Sequence, residues 1–294
     1  PGNPVHKMKT VRDHVTAGRL DLLSAGLTNE EAASDAEMLA RNALGWDRAT
    51  YISNVRASVS VEFVRRYRGM LDRRVQREPV SLITGQREFW GLDFTVTRDV
   101  LTPRPETELL VEETIALVNK DNQARPHVVD VGTGSGCVAI AIAKTSRARV
   151  TATDVSSLAL AVARHNATRH SVDDSIHWVC APLLKGVHEP PDIITANLPY
   201  IPSMEISKLP PEVQQFEPHV ALDGGTNGLE IITQLLREAS LRLKNGSNLI
   251  LEIGRGQAAA LSTLLETTPE LQIVKTRNDL QGITRVIALR RQIP

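Results

Sequence analysis

Apolar positions recur along this chain with two periods, and the change from one to the other divides it. Residues 8 to about 78 carry helical spacing. Thr28 with Glu31 three positions on forms a capping box that predicts a helix running to about Gly45. A second run over 59–77 places Val61, Val64, Met70, Leu71 and Val75 near one face, and Pro79 is expected to close it. The stretch EFWGLDFTVT then alternates apolar and polar residues around Gly91, the pattern of a short β-hairpin. In LTPRPETELLVEETIALV two prolines break the chain before a helix expected from about Glu106 to Asn119. The stiffened loop carrying Arg104, Glu106 and Thr107 reads equally as the wall of a site or as the start of that helix.

From residue 127 strand and helix patterns alternate. Strand-like runs fall at 127–131, 149–153, 176–180, 192–196, 248–253, 272–276 and 284–289, with helical patterns at 136–145, 156–169, 228–243 and 257–266. This rhythm predicts βαβ units, a largely parallel sheet and helices on both faces. No helix is evident between the last two strands, so a hairpin is expected there and the last strand is antiparallel. The expected organisation is a helical domain over 1–80, a hairpin linker over 81–100, and an α/β domain over 101–294.

Composition narrows the class. The chain has 294 residues, about two domains' worth, and its 41% hydrophobic content supports a sizeable core. Lys+Arg and Asp+Glu are both 34, so no global charge draws it to nucleic acid or anionic membrane. Of ten aromatic residues only Trp178, Tyr200 and Phe216 lie beyond residue 100, too few for an extended base-stacking platform. No apolar stretch approaches the ~18–20 residues of a membrane span, and no basic-then-apolar leader is read; the expectation is a soluble cytoplasmic protein. Cys137 and Cys180 cannot form a disulfide framework, and no metal-ligand spacing is present, so no metal is expected. Seven arginines between Arg56 and Arg77 face only Glu62 and Asp72, either a solvated helix face or a docking surface for an acidic or RNA-associated partner.

The chemistry concentrates at two strand ends. The first strand of the α/β region runs into DVGTGSG (130–136), whose glycines permit a tight turn and close approach of a ligand to backbone amides. Asp154, 22 residues beyond Gly132 at the end of the next strand, suits ribose hydroxyls, and the pair predicts a ribose-bearing cofactor. The fourth strand ends in ANLPYIP (196–202). There the Asn197 side-chain oxygen and the Leu198 carbonyl can both accept from one NH2 group; the alternative is a structural turn with a buried tyrosine. Cys137 heads a helix, where a dipole can lower a thiol pKa, but its run CVAIAIA reads as core.

The GTGSG turn lacks the Gly or Ala that a dinucleotide fingerprint places at 137, and it resembles the first motif of S-adenosylmethionine-dependent methyltransferases. ANLPYIP resembles the NPPY signature of methyltransferases acting on planar nitrogens. With PRPETE (103–108), EPHVALDGGTNGLE (217–230), LEIGRGQ (251–257) and QGITRV (281–286), the chain over about 10–290 resembles the HemK/PrmC family of protein-(glutamine-N5) methyltransferases. The resemblance implies a Rossmann-like class I methyltransferase sheet with a small N-terminal helical domain that helps hold the substrate. It implies S-adenosyl-L-methionine as cofactor, and methylation of the GGQ glutamine of peptide chain release factors, supporting translation termination. Nothing in the patterning demands more than a monomer, and the zero net charge and few aromatics lead us to expect no stable nucleic-acid binding.

By the same resemblance Gly132, Thr133, Gly134, Ser135 and Gly136 line the amino-acid end of the cofactor and Asp154 holds its ribose. Asn197, Leu198, Pro199 and Tyr200 receive the glutamine amide, with Asn197 also beside the cofactor and Asn197 and Tyr200 as the catalytic pair. Two departures stand out. Leu198 replaces the usual proline, keeping the carbonyl but adding backbone freedom. After the third strand, Cys180, Ala181, Pro182 and Leu183 stand where the family carries an acidic residue facing adenine, so contacts there, Leu183 among them, must be apolar or through backbone. The rival readings are an adenine-N6 methyltransferase of DNA or RNA and a cofactor-binding scaffold without catalysis.

Overall fold

The computed structural model describes residues 9–120 and 125–292; the expected spans also reach residues 1–8, 121–124 and 293–294, outside the described ones. The chain divides into two compact units between Gly85 and Gln86.

The first unit holds α1 (Val11–Ser24), α2 (Asn29–Leu44), α3 (Arg48–Asn54), α4 (Val61–Val75) and α5 (Val80–Thr84). Thr28 and Glu31 form the expected capping box, and Gly45 ends α2 in the left-handed conformation. Thr10 and Asp13 form another at α1, while Asp47 and Ser60 cap α3 and α4. The α4 helix stops at Val75, ahead of Arg77 in a left-handed conformation, and Pro79 caps the start of α5 instead of closing the run. The core gathers Leu22, Leu39, Phe63, Tyr67 and Leu71. Phe63 and Tyr67 stack 5.4 Å apart, and the Tyr67 hydroxyl donates to the Ala36 carbonyl at 3.1 Å. Four arginines of the basic run are spent inside the unit: Arg65 on Glu62, Arg68 on Asp21 and Asp72, Arg73 on Glu78, and Arg74 on Asp35. Arg56 and Arg66 are exposed.

Helix α1 approaches α4 at Gly18, where a Cβ would lie 2.5 Å from the Tyr67 hydroxyl oxygen and 2.8 Å from Leu71 Cδ1. Both neighbours are buried, so neither side chain can swing into solvent. Gly18→Ala gains up to ~1 kcal/mol of helix propensity, against ~1–3 kcal/mol for overpacking. Overpacking is expected to win, lowering the denaturant midpoint of the first unit with an unchanged slope; a rise in midpoint would show that the interface has room.

The second unit opens with the hairpin β1 (Gln86–Phe89) and β2 (Leu92–Thr95), paired antiparallel across Trp90 and Gly91. Its Phe89 and Phe94 are buried in the core of this unit. There follow α6 (Glu108–Lys120), β3 (His127–Val131), α7 (Cys137–Thr145), β4 (Arg149–Asp154), α8 (Ser157–Arg169), β5 (Ile176–Cys180), β6 (Ile193–Ala196), α9 (Pro211–Phe216), α10 (Glu230–Arg242), β7 (Asn248–Glu252), α11 (Ala258–Leu265), β8 (Leu271–Asn278) and β9 (Thr284–Arg291). The seven-stranded sheet runs β5-β4-β3-β6-β7-β9-β8, with β9 antiparallel to both its neighbours and the pairs from β5 to β7 parallel. Alternation along each strand sorts the two faces. Val129, Val131, Ile194, Leu249 and Leu251 meet α10 and α11, while Val128, Ile193 and Ile250 meet α6 and α7. Chain direction reverses its lateral progress between β3 and β6, and a doubly wound sheet opens its binding crevice at such a point. One stretch had no periodic signal: between β6 and α10 the chain makes short turns of helix at Ser203–Lys208, Pro211–Phe216 and His219–Ala221.

Candidate active site

A cavity of about 310 Å³ lies at the carboxyl ends of β3, β4 and β6. The turn after β3 forms its floor. Gly132, Gly134 and Gly136 all have φ between +54° and +81°, a region costly for residues with a Cβ. The Gly132 and Thr133 amides donate to the Thr153 carbonyl at 2.9 and 3.0 Å, and the Thr133 hydroxyl donates to Asp130 at 2.6 Å. Burial pushes the Asp130 carboxyl up to about 7, with the Thr133 hydroxyl opposing. Gly132, Thr133, Gly134 and Ser135 line the cavity. Gly136 does not: a Cβ there would lie 3.0 Å from the Ala163 methyl and from Ile140, so this glycine serves the packing of α7 against α8. Cys137 is buried with its thiol pushed up to about 12, chiefly by burial, which is the core alternative.

Asp154 closes the next side. Its Oδ2 accepts the Gly134 amide and its Oδ1 the Ser156 amide, each at 2.9 Å, while the carboxylate faces the cavity. Burial raises its pKa and the backbone donors hold it down. Beyond it Val155, Ala181, Pro182 and Leu183 make an apolar wall, whereas Cys180 is exposed and outside the lining. Leu183 sits at φ +48°, a conformation branched side chains rarely adopt, and the Thr153 hydroxyl fixes it by donating to the Leu183 carbonyl at 2.8 Å.

The ANLPYIP segment supplies the opposite wall through Asn197, Leu198 and Pro199. The Asn197 Nδ2 donates to the Thr107 hydroxyl oxygen at 3.1 Å, which gives the PRPETE loop a wall role as well as a helix start. The Leu198 side chain is buried, and its Cδ2 would lie 3.1 Å from a Cβ at position 132. Packing thus restrains the residue that lacks a proline ring. Tyr200 does not line the cavity; its ring packs toward Gly254 and burial pushes its hydroxyl up to about 12. Its carbonyl is gripped by the Gln257 Nε2 at 2.9 Å, whose Oε1 accepts the Gly254 amide at 2.8 Å. Gly228 completes the anchor, for a Cβ there would lie 2.3 Å from the Tyr200 carbonyl oxygen.

Three further side chains have partners that the sequence reading did not supply. Arg104 Nη2 bonds both carboxylate oxygens of Glu217 at 2.7 and 2.6 Å, and Arg98 stacks 4.9 Å over Phe216, together tying the short helical turns after β6 to the PRPETE side. Asn166, fully buried on α8, bonds the Ser135 carbonyl and both backbone groups of Thr95. Their partners are far away in sequence, although the EPHVAL and PRPETE motifs did mark Glu217 and Arg104.

The lining suits one cofactor shape. A carboxylate facing the cavity beside a glycine turn open at Gly134, where a Cβ would meet nothing within 4 Å, fits a ribose and a short polar tail, and the Val155–Leu183 wall fits a planar base. Fold and site together define a class I S-adenosylmethionine-dependent methyltransferase. Solved structures of similar fold include the hMettl16 catalytic domain (TM-score 0.56, 17% identity, covering 73% of this chain and 82% of that one) and a methyltransferase from Pyrococcus furiosus (TM-score 0.51, 20% identity, 69% and 90%). Residues 107–219 match the family described as ribosomal protein L11 methyltransferase (PrmA), and residues 15–85 the PrmC N-terminal domain. The chain is 38% identical over 267 residues to the release factor glutamine methyltransferase of Bradyrhizobium diazoefficiens, covering 90% of each. It is 38% identical to that of Cereibacter sphaeroides, covering 92% of this chain and 94% of its relative. The chain belongs to the release factor glutamine methyltransferase family.

Proposed function

We propose that this enzyme methylates the side-chain amide nitrogen (N5) of the GGQ glutamine in peptide chain release factors, supporting translation termination. The observation that carries the reading is the orientation of Asn197: with Nδ2 given to Thr107, its Oδ1 remains to accept a hydrogen bond at the cavity wall. Asn197 Oδ1 and the Leu198 carbonyl then receive the two hydrogens of one carboxamide NH2. An amide nitrogen is a poor nucleophile because its lone pair is delocalised, and two fixed acceptors both orient it and stabilise positive charge growing on its hydrogens. When bound, S-adenosylmethionine would supply an electrophilic sulfonium methyl group for the amide nitrogen to accept. Gly132 through Ser135 and Asp154 would hold that cofactor, with Leu183 on the apolar side, while Gly136 and Tyr200 act through the segments they pack. The proton leaves the nitrogen afterwards, so no strong base is required.

The first unit, which matches the PrmC N-terminal domain, is proposed to dock the substrate protein. The balanced charge of the chain supports a protein substrate over nucleic acid. Among the described residues no helix is long and apolar enough to cross a membrane, and the reading places the enzyme in the cytoplasm as a monomer. A radiolabelled methyl-transfer assay tests it: label is expected on intact release factor, none on its Gln-to-Ala variant, and none on RNA. Equal labelling of the glutamine variant, or labelling of RNA, overturns the reading.

A further inference from the structure

Arg104 is the one cation among the described residues that line the cavity, against the carboxylates of Asp99, Asp130 and Asp154. Its Nη2 bonds both oxygens of Glu217. Burial in this pair is lopsided: the Glu217 side chain is 3% exposed and the Arg104 side chain 36%. The open half is therefore the guanidinium. Its Nε and Nη1 carry no hydrogen bond to another described residue, so their N–H groups are left to offer. Thr107 follows on the same turn, its amide donating to the Arg104 carbonyl at 3.1 Å and its hydroxyl oxygen taking the Asn197 N–H. Asn197 in turn adjoins the glycine turn, where a Cβ at 132 would lie 3.8 Å from the Asn197 carbonyl oxygen. This succession puts Arg104 on the wall where the amide acceptors meet the glycine turn.

S-adenosylmethionine carries two cations, the sulfonium and the α-ammonium, and one anion, the α-carboxylate. The cations suit a cavity with acidic walls, whereas the carboxylate needs donors. The glycine turn has few to give. The Gly132 and Thr133 amides are spent on the Thr153 carbonyl, the Gly134 amide on Asp154, and the Gly136 amide on the Thr133 carbonyl. The turn supplies room for an amino-acid tail, but no charge to meet it. We infer that Arg104 binds the α-carboxylate of the cofactor, and that Glu217 positions it by holding Nη2 and leaving Nε and Nη1 to the ligand. The inference rests on the placement of the cofactor in this cavity, and is independent of which substrate is methylated. A guanidinium suits the task because its planar fork meets both oxygens of a carboxylate at once. Glu217 acts in two opposed ways, fixing the geometry of the fork while its charge offsets part of the arginine's.

Calorimetric titration of the full chain with S-adenosylmethionine and with its decarboxylated analogue, no substrate present, tests this. The parent is compared with Arg104→Gln, Glu217→Gln and the double variant carrying both changes. The double variant is needed because Arg104→Gln alone leaves Glu217 buried without its partner, a change that threatens folding; with both changed, the two side-chain amides can still bond to each other. Removing Arg104, alone or with Glu217, is expected to weaken S-adenosylmethionine binding about ten-fold or more, while the analogue stays within about two-fold of its affinity for the parent. Glu217→Gln still accepts from Nη2 through its amide oxygen and lifts the opposing charge, so it is expected to bind S-adenosylmethionine at least as tightly as the parent. Equal weakening of both ligands in the double variant would mean that the pair only holds the wall, and would overturn the inference. So would unchanged S-adenosylmethionine binding, a Glu217→Gln variant as weak as Arg104→Gln, or a loss confined to KM for release factor. Asp154→Ala reports the placement separately: a cofactor bound outside this cavity ignores both Asp154→Ala and Arg104→Gln, whereas a loss with Asp154→Ala alone refutes only the role of Arg104.

Discussion

Asn197→Ala is expected to cut methyl transfer to release factor by ~10²–10³-fold, the range seen when one preorganised group facing developing charge is removed. The alanine leaves the Leu198 carbonyl in place, because that backbone is held by the Gln257 grip on Tyr200 and by the close approach at Gly228. Cofactor binding is therefore expected to remain mostly intact, since the Gly132–Ser135 turn and Asp154 do not depend on the lost amide. Isothermal titration with S-adenosylmethionine and a methyl-transfer assay on the same preparation separate the two effects. Near-parental turnover would sink the clamp.

Asp154→Ala should fail in the opposite way, at the binding step. The carboxylate fixes Gly134 and Ser156 through their amides and still presents lone pairs to the cavity, so alanine removes the proposed ribose acceptor and loosens the turn beneath it. A hydrogen bond to a charged group is worth ~1.5–3 kcal/mol, and losing the contacts to a ribose diol is expected to weaken S-adenosylmethionine binding by about 10²-fold or more, read by titration calorimetry. Asp154→Asn is not a gentle substitute: its NH2 would face a backbone N–H that the carboxylate oxygen now accepts. If Asp154→Ala bound cofactor as tightly as the parent, the ribose assignment would fall while the clamp stood.

Local patterns carried most of the architecture and only part of the site. The β3 turn was readable because HVVDV runs unbroken into closely spaced glycines, and the capping box at Thr28 because its two partners are three residues apart. Asp154 and Asn197 were readable because a strand end is a position with a chemical meaning in this topology. What spacing cannot express is which glycine faces the cavity and which serves packing: Gly136 sits in the same motif as Gly134, and only its neighbour Ala163, on another helix, separates them. The allegiance of the hairpin was hidden for a similar reason. Its alternation was plain, but Phe89 and Phe94 belong to the second unit through Asn166 and the helices of that unit, contacts far apart in sequence. The turns over 203–221 are too short to show a period at all.

The contact between Leu198 and Gly132 ties together two stretches of chain that natural variation would otherwise edit separately. A side chain at 132 must displace the leucine, and a smaller residue at 198 opens space exactly where the glycine turn leans on it. Substitutions at the two positions should therefore be non-additive, so that lineages leaving this leucine for another residue face a constrained sequence of steps, each tolerable only on the background left by the last.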